Sequence, residues 1–141
     1  MAYFIFNNNS LFRIAANDAH KNSLNINESD YVIKDVSDQD FNEVRLNKKT
    51  AKLVNDDIVL QDILVSSINE EELNQNIQLV SDEINRFSIN NENNALYDDI
   101  KNYQNTLHNF DSSSVTYPFS KTWEEYCVDN SITFFHPLQI P

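Results

Sequence analysis

From residue 1 to about 65 the apolar positions come in short runs broken by polar turns. Tyr3-Phe4-Ile5-Phe6 is rich in β-formers, Asn7-Asn8-Asn9-Ser10 is a turn cluster, and Leu11-Phe12-Arg13-Ile14-Ala15 returns with alternation. That pattern predicts a hairpin in which Asn takes the place of Gly. Beyond a polar stretch from Asn17 to Asp30, Tyr31 to Val36 predicts another strand. Val44-Arg45-Leu46, Ala51 to Val54 and Ile58-Val59-Leu60, the last two around Asn55-Asp56-Asp57, predict two more hairpins. Ser37-Asp38-Gln39-Asp40 resembles an N-cap with acids in the first turn, and predicts a short helix or turn ending by about residue 43.

The period then changes. Leu73, Ile77, Val80, Ile84 and Phe87 follow one another at helical spacing, and Leu96, Ile100, Tyr103, Leu107 and Phe110 repeat it. Two amphipathic helices follow. Ser88 to Asn94 between them is poor in helix formers and the second seam is out of phase with the first, so the helices form an antiparallel hairpin and not one rod. Ser66 or Ser67 ahead of Glu70-Glu71-Glu72, and Asp98-Asp99, place negative charge at the helix starts. Thr122 with Glu125 predicts a capping box for a short helix over 121–129, with Trp123, Tyr126 and Cys127 on one face. Ile132 to Phe135 reads as a strand with Phe134 and Phe135 on opposite sides, and His136 to Pro141 as an extended arm.

The expected fold class is α+β in a single domain, 1–141. Its parts are N-terminal antiparallel β-hairpins forming a small sheet (1–65), an acidic antiparallel helical hairpin (66–111), and a C-terminal short helix, strand and extended arm (112–141).

Composition narrows the function. The chain has 141 residues, 22 acidic against 10 basic side chains, a formal net charge of −12 and no glycine. Residues 1–54 sum to zero and 55–111 to −10. So negative a chain lacks the Lys and Arg that hold nucleic-acid phosphate or an anionic membrane. No apolar run approaches the roughly 20 residues that span a bilayer, and the start lacks a basic n-region followed by an apolar stretch, so a soluble, unexported protein is expected. Without glycine neither a Walker-type phosphate loop nor a dinucleotide fingerprint can form. The abundance of Asn and Ile beside scarce Ala and Pro fits an A/T-rich genome.

Candidate chemistry is sparse. His20, His108 and His136 have no partners at metal-ligand spacing, and the start of a calcium loop at Asp38-x-Asp40-x-Asn42 has Glu43 where the loop needs Gly and Lys49 where it needs Glu. Cys127 with His108 or His136 is a conceivable nucleophile and base, but its apolar helix face points to a buried structural thiol. No catalytic residue, metal site or cofactor is expected, and the chain is read as non-enzymatic. Like charges flanking the helical seams disfavour self-association through them.

Met1 to Phe6, Leu11 to Ala16, Leu24 to Ile33 and Phe41 to Leu46 together resemble the start of small uncharacterised proteins of A/T-rich marine tailed bacteriophages, over about the first 50 residues. The resemblance implies a particle component or assembly factor and carries no residue-level site. The expectation is a structural subunit of the virion, in tail, neck, baseplate or capsid surface, made in the host cytoplasm. Its partners are other virion subunits, in a homo- or hetero-oligomeric assembly, with no direct nucleic acid and no membrane. The arm residues Phe134, Phe135, Leu138 and Ile140 are the expected docking residues, by strand addition or pocket filling, unless the arm folds back on its own domain. The alternatives are a soluble acidic regulator or decoy that binds a basic host protein, and an assembly chaperone.

Overall fold

Asparagine does the turning. In the computed structural model, which describes residues 1–90 and 92–141 and the side chains outside 88–91, strand β1 (Ala2–Asn7) meets β2 (Ser10–Ala15) through Asn8 and Asn9, with φ of 50° and 69°. Strand β4 (Lys49–Val54) meets β5 (Asp57–Asp62) through Asn55 and Asp56, with φ of 51° and 67°. Positive φ at both central residues of a two-residue loop is the primed turn that matches the strand twist, and Asn and Asp tolerate that region better than other non-Gly residues. Asn25, Asn47 and Ser131 do the same at helix ends.

The chain gathers into two compact units, Met1–Leu64 with Leu138–Pro141, and Val65–Pro137. The first holds a five-stranded antiparallel sheet in the order β3-β1-β2-β4-β5, with β3 at Val32–Val36. The fold is thus α+β. Tyr3 pairs with Ala15 and Ile5 with Arg13, but Phe6 pairs with Leu11, so Phe12 is an extra residue on β2. This bulge resets the alternation, and Leu11 and Ile14, three apart, both pack on one face. That face carries Phe4, Phe6, Val36, Ala51 and Leu53 and is covered by α2 (Asp38–Arg45) through Phe41 and Val44. The opposite face, Ile5 and Ala15 with Leu24 and the stacked Phe12–Tyr31 pair, is covered by α1 (Asp18–Ser23) and the turn at 28–30.

Two expectations change here. Val44-Arg45-Leu46 is the last turn of α2 and its cap, not a strand, because Phe41 and Val44 lie one turn apart on the buried face. The helix stops in a full Schellman motif, with the Asn47 N–H donating to the Val44 carbonyl and the Lys48 N–H to the Glu43 carbonyl, both at 3.0 Å. Helix α1 arises inside the polar stretch from Asn17 to Asp30, for which no element is expected. The Asn17 side chain accepts from the His20 N–H at 2.8 Å and starts it.

The second unit is built on α3 (Glu70–Asn90) and α4 (Tyr97–Asn109). Leu73, Ile77, Ile84 and Phe87 are buried from one, and Ile100, Tyr103 and Leu107 from the other, as their spacing predicts. Phe87 meets Tyr97, and Gln104 donates to the Ile84 carbonyl at 3.2 Å, which is antiparallel packing. The predicted interruption is narrower than Ser88 to Asn94, since α3 runs to Asn90, and its centre at Asn91 lies outside the described residues. The cap of α3 is Asn69 and neither Ser66 nor Ser67. Its side chain accepts from the Glu72 N–H at 2.9 Å, and Glu72 accepts from the Asn69 N–H at 3.2 Å. Ser67 instead bonds Ser120 at 2.8 Å, beside the paired backbones of Ile68 and Phe119.

Candidate functional site

Helix α5 (Trp123–Asp129) starts with the capping box its sequence predicts, the Thr122 hydroxyl and the Glu125 carboxylate each bonding the other's N–H at 3.1 Å. The box turns Trp123, Glu124 and Cys127 inward, all buried. Trp123 Nε1 donates to the Tyr103 hydroxyl at 2.8 Å, and Phe110 meets the Trp123 ring edge-on at 4.8 Å. Tyr126 stacks on Trp123 and takes Phe119 and Phe110 against its edges. The aromatic tail is therefore a core.

Glu124 does not fit a purely apolar core. It is only 3% exposed, and burial first, then the charge of Glu125, pushes its carboxyl from 4.5 up to about 7, against the opposing bond from its own N–H. Tyr103 beside it is held well above the usual phenol range by burial. A carboxyl tuned this way is suited to proton transfer, but only where it can reach substrate. The neighbouring groove, about 370 Å³ and lined by Asp99, Asn102, Thr106 and Ser131 among others, includes Tyr103 and not Glu124. A second groove of about 450 Å³, between the 114–121 segment and Tyr126 and Asn130, is also lined without it. Cys127 is wholly buried, whereas His108 is exposed on α4. Among the described residues no group of three or more His, Cys, Asp and Glu side chains could hold a metal ion.

The expected docking residues are placed as follows. Ile132 to Phe135 belongs to no helix or strand, so the predicted strand is absent, and Pro137–Gln139 is a single 3₁₀ turn. Phe134 is buried and Phe135 is half-buried, its ring 6.3 Å from that of Tyr103. Leu138 packs on the β1–α2 core of the first unit, and Ile140 is buried. His20 fixes this return. Its Nδ1 accepts from the Ala16 N–H at 3.2 Å, so Nε2 carries the proton and donates to the Gln139 carbonyl at 3.0 Å. The arm folds back within the chain, the second of the two fates its sequence allowed, and docking on a neighbour would require it to leave.

A different surface is open. Among the described residues the large exposed apolar side chains include Val54, Val59, Ile63 and Leu64, the last 89% exposed, all in or just beyond the β4–β5 hairpin. Ile58 and Leu60 turn toward the core. Val59 turns to the other face, where the cover over β1, β2 and β3 includes no residue of β4 or β5. Strand β5 is also the last of the sheet, and no described hydrogen bond reaches its outer edge. Sequence reasoning found this strand but not its edge position, which depends on the long-range pairing of Ser10 with Lys52.

No family model matches the chain, and neither a curated protein nor a solved structure is significantly similar to it.

Proposed function

We propose that this protein is a non-enzymatic structural subunit of a tailed-phage virion, working through contacts with other virion subunits. The observation that carries the reading is the apolar surface at Val54, Val59, Ile63 and Leu64 on a chain of net charge −12. Such a charge keeps a protein soluble without any need for exposed branched aliphatics. All four lie in one hairpin and its exit, which supports reading that hairpin as a surface for another protein. The resemblance of the first 50 residues to small phage proteins supplies the setting. Contact is assigned to the hairpin because the arm residues Phe134 and Ile140 are already buried within the chain.

The test is quantitative mass spectrometry of purified particles beside the soluble extract of infected cells, with copy number scaled to a known capsid subunit. A fixed ratio in particles is the expected result. Recovery only in the soluble fraction would overturn the structural role and favour the acidic regulator or an assembly chaperone.

A further inference from the structure

The sheet has two edges, and they differ. Strand β3 carries Lys34 at its centre with Asp35 beside it, the charge that natural edges use to refuse a further strand. Strand β5 has Ile58-Val59-Leu60 at its centre, with no Pro, no bulge and no charge until Asp57 and Asp62 at its ends. Because the β4–β5 loop has two residues, Val54 and Asp57 exchange backbone bonds, and bonding alternates from there. The Ile63 N–H, donating to the Lys48 carbonyl at 2.9 Å, keeps that phase at the far end. The backbone groups of Ile58, Leu60 and Asp62 therefore point away from β4, in a row along the open edge.

A second copy is a poor occupant. Antiparallel pairing of β5 with itself must join the outward-facing Ile58, Leu60 and Asp62 of both copies, which sets Asp57 of each strand one position from Asp62 of the other, and like charges that close repel. Each copy would also bring a charge of −12 to the other. The complement of this edge is an extended segment that offers apolar side chains at its centre and a cation at each end. Asp62 faces Lys49 at 3.8 Å, but its side chain is 87% exposed, so that pair leaves it open to a second cation.

We infer that β5 is a strand-addition site, and that its partner is an extended protein segment with alternating apolar residues flanked by Lys or Arg opposite Asp57 and Asp62. This deepens the structural reading by naming the contact and the chemistry of the partner, and it rests on that reading for its setting. Backbone bonds along the edge supply the affinity, Val59 supplies an apolar contact, and the terminal charges select the partner.

The test uses the full chain and two capped hexapeptides, Lys-Val-Thr-Val-Thr-Lys and Glu-Val-Thr-Val-Thr-Glu, titrated while backbone amide shifts are followed by NMR. The Lys-ended peptide is expected to move the amides of Ile58, Leu60 and Asp62 and to bind about tenfold more tightly than the Glu-ended one. Salt at 1 M should erase the difference, and the double variant Asp57→Lys, Asp62→Lys should reverse it. Equal binding of the two peptides, shifts elsewhere in the chain, or no shifts at millimolar peptide would overturn the inference. So would concentration-dependent movement of the same amides without peptide, since that would make a second copy the occupant. The double variant also separates the two readings. Its incorporation into particles at the wild-type copy number would overturn the edge as the assembly contact and leave the structural role standing. A chain missing from particles that still takes the Lys-ended peptide at β5 would overturn the role and leave the edge site.

Discussion

Glu124 makes the second unit sensitive to alkali in a way that can be measured against a single neutral variant. Its carboxyl sits at the start of α5, buried beside Tyr103 and Cys127, with Glu125 next in sequence. Burial lifts it from 4.5 to about 7 in the folded chain. A folded pKa above the unfolded value means that the native state holds its proton longer, so the contribution is complete below pH 4.5 and is lost as pH rises through 7. The gap of about 2.5 between these values corresponds to about 3 kcal/mol at ~1.36 kcal/mol per unit. That is a large share of the stability of a small domain. Glu124→Gln keeps the shape and removes the titration. Urea unfolding of both proteins at pH 5, 6, 7 and 8 should show the variant gaining about 2.5 kcal/mol on the wild type between pH 5 and pH 8, the remainder of the effect lying below pH 5. Parallel stability curves across that range would refute the reasoning.

Three further outcomes are expected. Ser131, at φ 56°, takes the left-handed position after α5 that Asn fills after α1 and α2, and Ser131→Gly should raise stability by about 0.5–1 kcal/mol in urea unfolding. Trp123→Phe and Tyr103→Phe should each cost about 1–3 kcal/mol by leaving one partner of the 2.8 Å bond buried and unsatisfied, and the double variant should cost less than their sum. His20 is depressed below 6.5 by burial, against the opposing bond to the Gln139 carbonyl, so its stabilisation is present above that value and lost as pH falls. An NMR titration should place its midpoint below 6.5, with faster amide exchange at Gln139 and Ile140 in acid than at neutral pH.

What the sequence makes legible is what local pattern controls. The seams of α3 and α4 were readable because each helix buries one stripe, and the capping box of α5 because Thr122 and Glu125 are three apart. The primed turns were readable once Asn was allowed to stand for Gly. Helix α1 escaped because Asp18 to Ser23 has no apolar stripe and buries only His20, leaving Asn17 and Asn25 as the signals of its ends. Ile132 to Phe135 has strand composition and no ladder, since a strand also needs an edge to join. Glu124 is one of two acids in the first turn of α5, a position that in sequence carries no sign of burial. Its burial follows from the wide inward arc of α5, where Trp123, Glu124 and Cys127 all face the core.

The same local signal has opposite outcomes in β1 and β5, and the contrast singles out the β5 edge of the sheet. Both strands carry consecutive apolar residues, Phe4-Ile5-Phe6 in one and Ile58-Val59-Leu60 in the other, which is the pattern of a strand covered on both faces. In β1 the demand is met. Strands β2 and β3 flank it, Phe4 and Phe6 are buried on one face and Ile5 on the other. In β5 the pattern is the same, but one edge is unpaired and Val59 is left 39% exposed. A strand patterned for the middle of a sheet, placed at its end, supplies the physical reason to look for the next strand in another chain.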